Sequence, residues 1–85
     1  MEVLTITTTE RNQMIDITPL VQAKINESGI QNGICYVFVP HTTAAVTINE
    51  NSDPDVVRDI LHTLSKLVPH RDDYRHIEGN SDAHV

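Results

Sequence analysis

Cys35 is the only cysteine in the chain. That excludes an internal disulfide framework and points to a reducing compartment. Positive charge is also scarce: six Lys and Arg stand against twelve Asp and Glu, a formal net charge of −6. A protein that grips a phosphate backbone carries a basic patch, and none is visible, so nucleic acid is not an expected partner. No apolar run approaches the roughly 20 residues needed to cross a bilayer. The opening Met1-Glu2-Val3-Leu4-Thr5 lacks the basic and apolar regions of a signal peptide. A soluble cytoplasmic protein with no membrane partner is the expectation. Tryptophan, internal repeats and low-complexity tracts are absent as well. What remains, 85 residues, is room for one small domain and excludes a multidomain enzyme. A domain of this size buries only about 60% of its unfolded surface. With disulfides excluded, the available props are a metal or oligomerisation.

The local pattern alternates strand formers with two helices. Val3 to Thr9 is rich in β-branched residues and reads as a strand, Glu10 to Gln13 as a turn, and Met14 to Ile17 as a short return. Thr18-Pro19 reads as a capped helix start, with Leu20, Val21 and Ile25 as a modest stripe and Gly29 as the stop. Ile34 to Val39 is a continuous apolar run suited to a strand covered on both faces, ended by Pro40. Cys35 within it reads as a buried, inert thiol. His41-Thr42-Thr43 reads as a bend and Ala44 to Ile48 as the next strand. The clearest element opens at Asp53-Pro54, a cap and a proline at the first helical position. Val56, Val57, Ile60, Leu61, Leu64, Leu67 and Val68 then recur at helical spacing, and Pro69 ends the helix. The predicted architecture is α+β, an antiparallel or mixed sheet with two helices packed on it.

The stretch from Pro69 to Val85 has no apolar period and is too long for an ordinary connection. It holds His70, His76 and His84, three of the five histidines. Gly79-Asn80 is turn chemistry, with Asn80 a candidate for a left-handed position. Ser81-Asp82 reads as the cap and first turn of a further helix. The 85 residues therefore read as the front part of a longer chain. A borderline metal such as zinc takes imidazole nitrogens, and a catalytic site keeps one position open. His41, His76 and His84, three histidines from two loops, are the donors available for one, whereas His70, beside Pro69 and Arg71, reads as a surface residue. Nearby carboxylates would orient the rings through their second N–H. Each residue also has a plainer role: His41 solvated at a strand end, Thr42 and Thr43 satisfying backbone at a bend, Asp82 a helix-start acid. Glu78 and Asp82 are read as general acid–base groups, as carboxylates that orient a ligand ring, or as a cap. For Arg71 and Arg75, a phosphate clamp competes with ion pairing to Asp72 or Asp73.

Two long motifs favour the chemical reading. His41-Thr42-Thr43-Ala44-Ala45-Val46-Thr47-Ile48-Asn49-Glu50-Asn51 with Asp53-Pro54-Asp55-Val56, and His76-Ile77-Glu78-Gly79-Asn80-Ser81-Asp82-Ala83-His84, closely resemble the YjbQ-like family, known as secondary thiamine-phosphate synthases. The resemblance runs from the first strand to the last residue. It implies a small α+β fold assembled as a homotrimer, with clustered histidines forming a divalent-metal pocket. Carried over by motif, His41, His76 and His84 are the metal ligands. Zinc is the metal implied, with magnesium an option for a diphosphate substrate. Glu78 and Asp82 are the catalytic candidates, and Thr42, Thr43, Asn80 and Ser81 would bind ligand. The implied substrate is a small phosphorylated molecule. The implied side reaction joins hydroxymethylpyrimidine diphosphate to thiazole phosphate. The alternative is a metal- or ligand-binding trimeric module without turnover. Relatives continue through a helix and further strands, so the resemblance also implies that this is the N-terminal portion of the domain.

Overall fold

The computed structural model describes residues 1–85. It contains three helices, α1 (Thr18–Ser28), α2 (Pro54–Leu67) and α3 (Ser81–His84), and no β-strand. The chain divides into two compact units, Met1–Tyr36 and Val37–Val85.

In the first unit, the turn expected at Glu10 to Gln13 is present as a bend over residues 10–12. Side chains close it. Thr9 N–H donates to Gln13 Oε1 at 3.0 Å and Gln13 Nε2 donates to Thr9 Oγ1 at 3.1 Å. Helix α1 begins one residue earlier than Thr18 as a cap would place it. Ile17 occupies the cap position and offers no side-chain acceptor. Asp16 takes over that task, its Oδ1 accepting from Thr18 N–H at 2.9 Å. Gly29 ends the helix in the left-handed region, φ +72°, where residues with a Cβ are strained. Val21 and Ile25, one turn apart, are half-buried, as are Leu4, Met14 and Ile17. Lys24 on the same helix pairs with Glu27 at 3.2 Å and Glu2 at 3.8 Å. Its hydrogen bond to Glu27, together with the two negative charges, raises its pKa above 10.5.

In the second unit, α2 forms where its signals stand. Asp53 Oδ1 accepts from Asp55 N–H at 2.9 Å, Pro54 fills the first turn, and Lys66 sits in the last turn against the negative helix end. Val68 N–H closes on Leu64 O at 2.8 Å, just before Pro69. Val56, Val57, Ile60 and Leu61 are half-buried, whereas Leu64 and Leu67 are exposed.

The expected sheet is not formed, and this corrects the α+β reading. A β-strand is defined by its neighbour, because its N–H and C=O groups are satisfied only across a ladder. The segments 3–9, 14–17, 34–39 and 44–48 carry strand-forming residues but no ladder. The backbone hydrogen bonds outside the helices are local turns and caps. Coverage fails with pairing. Ile34, Tyr36, Phe38 and Ile48 are 79%, 88%, 83% and 101% exposed, so the run read as a doubly covered strand is open to water. Cys35, expected to be buried, is exposed for the same reason. No apolar side chain is fully buried anywhere in the chain.

The capping geometry of α2 gives a direct test. Asp53→Ala should cost about 1 kcal/mol of stability, read as a lower urea midpoint for loss of the circular-dichroism signal at 222 nm. An unchanged midpoint would show that the Asp53–Asp55 bond contributes nothing to the helix.

Candidate functional site

The second motif folds on itself within the second unit. His76 and His84 meet edge to face, ring centroids 5.5 Å apart and planes at 86°. His76 Nε2 lies 3.1 Å from Asn80 Oδ1 and 3.5 Å from Glu78 Oε2. Both neighbours present oxygens, which a proton on Nε2 would satisfy. The acceptors reach the same nitrogen because the chain reverses between them at Gly79, whose φ is +81°. The left-handed position is therefore Gly79 and not Asn80, whose φ is −126°. Asn80 stands at the cap of α3 without a side-chain cap bond, its oxygen being committed to His76. Asp82 lies in the first turn, as expected. Ser81 is the one buried residue, 8% exposed, and its hydroxyl donates to His76 O at 3.5 Å.

The loop leading into this cluster is held by residues to which the sequence assigned no role. Tyr74 OH donates to Pro69 O at 2.6 Å, and Tyr74 N–H donates to Asp72 O at 2.8 Å. His70 Nε2 donates to Gly79 O at 3.3 Å, closing the loop across nine residues. A tyrosine five residues beyond a proline is the only trace of this in the sequence, and a weak one. Partial burial, then the nearby Asp72 and Asp82 charges, push the Tyr74 hydroxyl above its ordinary pKa of 10.0. These contacts frame a polar cavity of about 280 Å³ whose lining includes His70, Arg71, Tyr74, His76 and Ser81. A larger apolar concavity, about 380 Å³, runs along α2 beside Val56, Ile60 and Leu64. It carries no chemical group of the motif.

His41 lies beside the turn at Thr42 and Thr43, all three exposed. The chain gathers no group of three His, Cys, Asp or Glu side chains placed to hold a metal ion. His76 and His84 thus fit a borderline metal in kind, as paired imidazoles with one ring oriented by a carboxylate and an amide. They do not fit it in number, since a zinc site takes at least three protein donors. His41 does not complete the set within the chain. No helix is long and apolar enough to cross a membrane.

Comparison with known proteins places these motifs in a family. The chain matches the family described as UPF0047 protein YjbQ-like over residues 2–85. It is 50% identical to UPF0047 protein MJ1081 of Methanocaldococcus jannaschii over 80 residues, 94% of this chain and 58% of that protein. It is 46% identical to UPF0047 protein YugU of Bacillus subtilis over 86 residues, 100% of this chain and 65% of that protein. Among solved structures, it is similar to an uncharacterized YjbQ/UPF0047 family protein of Clostridium acetobutylicum, an ortholog of YugU. The TM-score is 0.89 at 56% identity, covering 93% of this chain and 61% of that one. The chain belongs to the YjbQ-like UPF0047 family, and it spans less than two thirds of the length of each of these relatives.

The raised Tyr74 pKa predicts a late-ionising phenol. In an ultraviolet titration at 295 nm, one tyrosine should ionise above the usual range, and Tyr74→Phe should remove that phase. The folded value is the higher one, so the stabilisation is complete at neutral pH and is lost as pH rises through it. A late phase that persists in the variant would remove its assignment to Tyr74.

Proposed function

We propose that the chain carries the imidazole-lined part of a pocket for a small phosphorylated molecule, the pocket being completed in a homotrimer. The observation that carries this reading is the His76–Glu78–Asn80–His84 cluster. It sets one ring against an amide oxygen and a carboxylate, beside a second ring and next to a polar cavity. In this reading His76 and His84 are two ligands of a divalent metal, zinc by donor type, and His41 of a neighbouring copy is the third. When bound, the metal would neutralise a departing diphosphate. Glu78 steers the His76 ring and, with Asp82, serves proton transfer to and from the bound molecule. Ser81 lines the cavity, and Thr42, Thr43 and Asn80 are the further ligand-binding residues of this reading. Motif resemblance supports thiamine-phosphate formation as a side activity of the whole protein. The scarcity of paired cations for a diphosphate agrees with its being secondary.

Two measurements test the reading. Elemental analysis of protein purified without chelator should find zinc, and His84→Ala or His41→Ala should lower it. Metal-free parent protein would remove the ligand roles. Glu78→Gln or Asp82→Asn should reduce thiamine-phosphate formation from the two phosphorylated halves by about a hundredfold or more, with metal content unchanged. Full turnover in either variant would remove the catalytic role of that carboxylate.

A further inference from the structure

The cavity beside the histidine pair has a cation on its lining that nothing else in the chain neutralises. Three of the other five positive side chains are committed: Lys24 to Glu27 and Glu2, Arg58 to Asp59 at 3.3 Å, and Arg11 to Asn12 at 3.2 Å. Arg71 lines the cavity and makes no ion pair or side-chain hydrogen bond. Its neighbours explain why. Asp72 turns its carboxylate back to the main chain, Oδ1 accepting from Asp73 N–H at 2.7 Å. The Asp72 carbonyl accepts from Tyr74 N–H at 2.8 Å, which fixes the bend. The acid next in sequence is thereby tied to its own backbone, and Asp73 forms no ion pair with the guanidinium. The pairing expected between Arg71 and Asp72 or Asp73 is not made.

The other polar groups of the cavity are already assigned. Tyr74 OH is spent on Pro69 O, His70 Nε2 on Gly79 O, and His76 Nε2 on Asn80. Asp72 is the one carboxylate on the lining. A neutral polar ligand would find few free donors there. A guanidinium with its whole fork unengaged suits a tetrahedral oxyanion, which accepts two parallel N–H bonds.

We propose that Arg71 is the anion-recognising residue of this pocket and takes the phosphate of a phosphomonoester, with the rest of the molecule directed toward His76. This rests on the reading that the pocket takes a phosphorylated molecule, and it names the group that binds the phosphate. Arg71 is thus a binding residue, separate from the metal and proton-transfer roles assigned above. Arg75 is similarly unpaired but does not line the cavity, and so serves as the control.

The test uses the 85-residue chain and inorganic phosphate, following the histidine ring C–H resonances by NMR. Phosphate should shift the His70 and His76 signals saturably. Arg71→Gln should weaken that binding roughly tenfold or more, and Arg75→Gln should leave it unchanged, with helix content by circular dichroism equal in all three. If the parent binds and Arg71→Gln binds equally well, or if Arg75→Gln weakens binding as much, the assignment of Arg71 is overturned while the phosphate pocket stands. If the parent shows no saturable shift, the phosphorylated-ligand reading itself falls, and the assignment with it.

Discussion

Strand pairing is the constraint on which this molecule turns. Half of its apolar residues lie in segments whose chemistry suits a sheet, yet a sheet requires edges that meet. Without them the backbone finds only local turns, and Ile34, Phe38 and Ile48 stay in water. The hydrophobic contribution, about 25 cal/mol per Å² of apolar area covered, is then collected only in part, along one side of α1 and α2. Each ordered residue still costs about 1–2 kcal/mol of backbone entropy. The chain's exposed apolar faces are the surfaces against which further polypeptide, from the same family fold or a neighbouring copy, would gain most.

How much was legible in the sequence follows from how local each signal is. Asp53, Pro54 and Pro69 bound α2 as expected, and Gly29 ends α1, because caps and breakers act within a few residues. Thr18 was misread by one position, since Asp16 offers the same kind of acceptor two residues earlier. The sheet was misread for a different reason. β-branched runs report a preference, whereas the partner that satisfies it lies outside the run. Cys35 went wrong with it, since its burial was inferred from a sheet that is not there.

The same distinction sorts the site. His76, Glu78, Asn80 and His84 come together because offsets of two, four and eight residues across a turn and a short helix are a local matter. His41 stands 35 residues upstream of His76, so any meeting of the two is a long-range matter that no local signal encodes. Arg71 was legible as a choice between a clamp and an ion pair. The structure removes the ion pair, with the Asp72 carboxylate accepting from Asp73 N–H instead.

Gly79 has a consequence for how such a site can vary. A Cβ placed there meets nothing within 4 Å, so the neighbourhood would accept a methyl group without crowding. What it would not accept is the torsion, because φ is +81°. A side chain at this position would pull the backbone out of the kink that lets the residues on either side of it reach one imidazole nitrogen. The two-pronged grip on His76 is thus encoded in chirality rather than in volume: drift at this codon would be policed by handedness, leaving the surrounding space free to change.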